Sequence, residues 1–135
     1  MLTSLKDGDA RFRVLQRIAT LEEHNAKASL DVVNAARERN DVEMYDRFSR
    51  QLMEIAPFDI EHRFARIEAV LARGDAKVAQ TMMDRLPPKV LAARVDAQLL
   101  RARILIALGQ KSAAKSILES MKPAPSVQTL LDSLR

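Results

Sequence analysis

Three helix-ending positions recur at nearly equal intervals: Asn40, Gly74 and Gly109 stand 34 and 35 residues apart. Asn and Gly both tolerate the left-handed backbone that closes a helix, and Asp41 and Asp75 follow at once as caps for the next one. A chain punctuated at this interval is confined to tandem helix pairs. Each pair leaves a face it cannot cover alone, so neighbours must stack.

The residues between the breaks read as helix throughout. Phe12, Leu15, Ile18 and Leu21 recur every third residue and predict an orphan helix at 9–23. Leu30, Val33 and Arg37 carry the second helix, with Ala28, Val32, Ala35 and Ala36 inside. Val42, Tyr45, Phe48, Leu52 and Ile55 carry the third, which Pro57 stops. Asp59 caps a fourth with Ile60, Phe64, Ile67 and Leu71; Val78, Ala79, Met82, Met83 and Leu86 make a fifth, ended by Pro87-Pro88. A sixth helix is expected as one piece from Lys89 to Leu108, and Ala113, Ala114, Ile117, Leu118 and Met121 mark a seventh. A capping helix at 126–135 carries Val127, Leu130, Leu131 and Leu134. Only 3 glycines and 4% aromatics fit this all-α class, since sheets favour β-branched and aromatic residues.

The segment from Asn40-Asp41-Val42-Glu43 to Glu54-Ile55-Ala56-Pro57 resembles the second helix of a tetratricopeptide repeat, with its closing proline. Gly74-Asp75-Ala76-Lys77-Val78-Ala79 and Gly109-Gln110-Lys111-Ser112-Ala113-Ala114 resemble that family's turn and small packing alanine, and Met83 and Leu118 stand four residues on. The resemblance implies a right-handed α-solenoid of about three pairs, at 26–57, 58–88 and 89–123, in a single domain over 1–135. The first-helix signature is poorly kept: its small position holds Val33, Ile67 and Ala102. Strict register turns Phe64 toward an inner groove; a register slipped by one residue buries it.

Composition narrows the chemistry. Cysteine is absent, which removes disulfides, thiolate catalysis and cysteine metal sites. The two histidines, His24 and His62, form no ligand set: Glu22-Glu23-His24 are consecutive, so their side chains point apart on a helix. His62 reads as a surface residue or local hydrogen-bond partner. No P-loop, dinucleotide glycine pattern, HExxH or nucleophile elbow occurs. Neither catalytic residues, a metal site nor a cofactor is expected. The longest apolar run, Ile104 to Leu108, falls far short of the ~20 residues of a membrane span.

The resemblance implies a binding module for another protein or peptide, with Asn34, Arg37, Phe64, Glu68, Leu99, Arg103 and Ile106 lining the groove of first helices. A carboxylate clamp for chaperone tails is not expected, because Leu30, Ala65, Asp96 and Leu100 stand where that clamp needs polar and basic groups. Self-association as a homodimer is the alternative, through Phe12, Leu15 and Ile18 at one end and Leu130, Leu131 and Leu134 at the other. Helical-repeat RNA binding ranks third. Residues 89–135 hold eight basic and three acidic residues, a net +5 against +4 for the whole chain, but these bases are scattered and aromatic stacking partners are few. The cytoplasm is the default compartment, with the periplasm open to an excised domain. An array that starts part-way through a repeat is expected to be a piece of a larger scaffold, as in bacterial assembly and export systems of this family.

Overall fold

The structure, a computed structural model, describes residues 2–22 and 25–134, with side-chain surroundings from Gly8 onward. Among the described residues the chain is all-α, with nine helices and sequential antiparallel packing. They are α1 (Leu2–Leu21), α2 (Ala26–Arg39), α3 (Val42–Ile55), α4 (Ile60–Ala72), α5 (Ala76–Asp84), α6 (Pro88–Ala93), α7 (Val95–Ala107), α8 (Lys111–Ser120) and α9 (Pro125–Ser133). The chain divides between Arg73 and Gly74 into two compact units.

In the first unit, α1 to α4 pack each on the next. Phe12, Ala19, Val32, Val33, Ala36, Tyr45, Phe48, Leu52 and Ala69 are buried together. One polar link crosses this core: the Gln51 side-chain amide donates to the Ala19 carbonyl at 3.0 Å and to Ser29 Oγ at 2.6 Å. It ties α1, α2 and α3 while satisfying a hydroxyl that is fully buried. Asn25, Asp41 and Asp59 cap α2, α3 and α4, each accepting from a backbone N–H three residues on.

In the second unit, α7 is the central helix and packs against α5, α6 and α8. Ala102, Leu105, Ala114, Leu118 and Val127 form its core, with α9 laid against α8. Pro88 and Pro125 begin α6 and α9, where a missing N–H costs nothing.

The three periodic breaks share one backbone conformation. Asn40, Gly74 and Gly109 have φ of 57°, 98° and 80°, the left-handed values that end a helix. Around Asn40 and Gly109 the bonding is the same: Asp41 N–H reaches Ala36 O at 2.9 Å, and Gln110 N–H reaches Leu105 O at 2.9 Å.

Two boundaries differ from expectation. The first helix begins at Leu2 rather than near residue 9, and carries the exposed Gly8 within it. The sixth helix is broken in two at Arg94, whose backbone is extended (φ −104°, ψ 124°). Asp96 stabilises the break: its carboxylate accepts from Arg94 Nε (3.0 Å) and Nη2 (2.7 Å) and from the Ala97 N–H (2.9 Å) at the new helix start.

Candidate binding surfaces

Three of the expected groove residues meet in the first unit. Arg37 on α2 donates to Asn34 Oδ1 at 2.6 Å and to Glu68 Oε2 on α4 at 3.3 Å, and the Tyr45 hydroxyl donates to the same Glu68 oxygen at 2.9 Å. Tyr45 is buried and approaches Glu68 from α3, so the carboxylate is fixed from the core side. Arg37 remains half-exposed, at 52% of its side chain. The result is an ordered polar surface carrying a cation, an amide and a carboxylate, all held in defined directions.

Phe64 lies elsewhere. It is buried, at 5% exposure, and so is withdrawn from any free surface. His62 is also buried, at 7%, not a surface residue; its backbone N–H is the one capped by Asp59, but its Nδ1 finds no partner among the described residues. The segment with Glu23 and His24 falls outside the described residues.

A second ionic cluster, unforeseen in the sequence, joins α3 to α4 through Asp46. Its carboxylate accepts from Arg66 (2.8 Å), Arg73 (2.9 Å) and Arg50 (3.2 Å). Burial pushes this carboxyl upward, but the Arg66 hydrogen bond and the charges of Arg66, Arg73 and Arg50 outweigh it and hold the acid below its ordinary value. Asp46 and Arg66 are 19% and 11% exposed, so this cluster is structural cement more than ligand surface.

In the second unit, Leu99 and Ile106 are partly buried against the core, and Arg103 is exposed. An open hollow of about 800 Å³ lies on another face of α7, with Leu91, Ala97, Arg101, Leu105 and Ile117 in its lining and Gln80, Gln98 and Gln110 around them. At the helical period, Ala97, Arg101 and Leu105 point about 165° away from Leu99, Arg103 and Ile106. The hollow exists because the break at Arg94 folds α6 back beside α7; a continuous helix would have spread Leu91 and Leu105 about 21 Å along one axis.

The expected self-association ends are only partly free. Phe12 is buried and lies under the Arg39 guanidinium at 4.6 Å, while Leu15 is half-buried and Ile18 exposed. Leu130, Leu131 and Leu134 pack partly on the second unit's own core. Phe58, in the turn between α3 and α4, is almost wholly exposed and was not singled out.

Among the described residues no helix is long and apolar enough to cross a membrane, and no group of three or more acidic or histidine side chains gathers as a metal site. Family models, curated proteins and solved structures yield no match to the chain.

Proposed function

We propose that this chain is a non-catalytic protein-binding module built of degenerate tetratricopeptide-like helix pairs, the kind that stack into a right-handed solenoid. One observation carries this reading: Asn34, Arg37 and Glu68, chosen as ligand-facing positions of two successive first helices, form one hydrogen-bonded array with Arg37 open to solvent. Ordered charged groups at a surface give a partner direction and register. Arg103, exposed on α7, stands in the third pair where Asn34 and Glu68 stand in the first two.

Capture from lysate on the immobilised chain tests the proposal when wild type is compared with Arg37→Glu and Arg103→Glu, each verified as folded by circular dichroism. A partner retained by wild type and weakened about tenfold or more by Arg37→Glu is the expected result. Equal retention by both variants would remove the groove reading.

A further inference from the structure

Helix α1 is apolar on two sides, and only one side is used. Phe12 and Ala19 are buried and Leu15 half-buried against the first unit's core. Val14, Ile18 and Leu21 follow at i, i+4 and i+7, which makes them one row along the helix. They are 56%, 41% and 74% exposed. At 100° per residue this row points about 125° away from the buried one. Three large aliphatic side chains aligned over two turns are the pattern by which one helix seats against another.

The charges that α1 sets beside the row indicate what sits there; α2 adds one of each sign, Lys27 and Asp31, around the hollow that Ile18 lines. Arg11 lies about 60° to one side of it and Arg17 about 60° to the other, with Arg13 beyond Arg17. All three are exposed and form no ion pair or hydrogen bond among the described residues. No acidic residue occurs from Ala10 to Thr20. Of the flanking acids whose side chains are described, Asp9 pairs with Arg39, and Glu22 accepts from the Asn25 amide. An apolar row bordered by guanidinium groups that have no carboxylate partner among the described residues complements a helix whose apolar stripe is bordered by carboxylates.

We propose that the Val14–Ile18–Leu21 row docks an amphipathic, acid-edged helix of another protein. A second copy of this chain fits less well, because pairing α1 with α1 would set arginine rows against arginine rows in a desolvated contact. The site shares no residue with the Asn34–Arg37–Glu68 surface, so either can fail alone.

The test uses the full chain and two fluorescein-labelled synthetic helices with the same leucine stripe, one edged by Glu and one by Lys. Fluorescence anisotropy should show the Glu-edged helix binding about tenfold or more tightly than its Lys-edged twin. Ile18→Asp should abolish binding with helicity unchanged, and the double variant Arg11→Glu/Arg17→Glu should reverse the preference. The double variant leaves the packed face intact, so reversal does not depend on Ile18→Asp folding. Equal affinity for both helices, or none, overturns the proposal. So does a concentration-dependent dimer in sedimentation velocity that Ile18→Asp dissolves, which would assign the row to a second copy. Binding to phosphatidylserine vesicles without binding to the Glu-edged helix would assign it to a membrane surface and equally overturn it.

Discussion

Asp46 is the residue on which the α3–α4 contact most depends, since it receives three arginines from two helices. Replacing it with Asn leaves the nearly buried Arg66 facing a neutral amide, at a cost of about 2 kcal/mol in urea unfolding at pH 7. The pH dependence has a definite sign. The folded-state acid lies below its ordinary 3.8, so its contribution is complete above that value and is lost as pH falls through the depressed one. The stability gap between wild type and Asp46→Asn should therefore stay constant from neutral pH down to about 5 and close below about 4. A gap that persists unchanged at pH 3 would mean that charge is not what Asp46 supplies. Nothing in the sequence near Asp46 announces the cluster, because Arg66 and Arg73 arrive from another helix and only the packing brings them within 3 Å. His62 was misjudged for the same reason: one turn into a helix, burial is set by the neighbouring element and not by the residue's own polarity.

The helix ends were far more legible than the faces. Asn40, Gly74 and Gly109 stand out in the sequence because left-handed backbone restricts the choice of residue, and all three adopt it. Their conformation gives a direct test: Asn40→Gly should leave the midpoint of thermal unfolding unchanged or raise it. Asn40→Val places a β-branched residue at positive φ and should cost about 1–2 kcal/mol. If both variants unfold together, the break at Asn40 is not held by its backbone geometry. The division of the expected 89–108 helix was not legible, because Val90 to Ala107 keeps apolar spacing across it and Arg94 is an ordinary helix former. At the break, Asp96 chelates Arg94, two residues back, and accepts from the Ala97 N–H at the new helix start. Such a competing local bond leaves no mark on hydropathy. The same break creates the hollow beside Arg101, so the feature that went unread in the sequence also set a surface there.

Across the chain, each unit carries its own core, and each presents different chemistry to a partner. The first offers an ordered polar array and, on α1, an apolar row between arginines. The second offers an exposed Arg103 and an open, glutamine-edged hollow. The all-α class and its sequential packing follow from the period of the breaks and the spacing of apolar residues. The individual groove residues divide by physics. The polar ones on α2 and α4 reach one another, whereas Phe64, Leu99 and Ile106 have large apolar surfaces that packing claims first. The central claim is that the Asn34–Arg37–Glu68 surface holds a partner protein, and photo-crosslinking reads this most directly. With a photoreactive residue at Asn34, irradiation in the native host should yield a discrete adduct to a second polypeptide. That adduct should be absent with the same group at exposed Thr129, on α9. No adduct at Asn34, or the same adduct at both positions, would contradict the account.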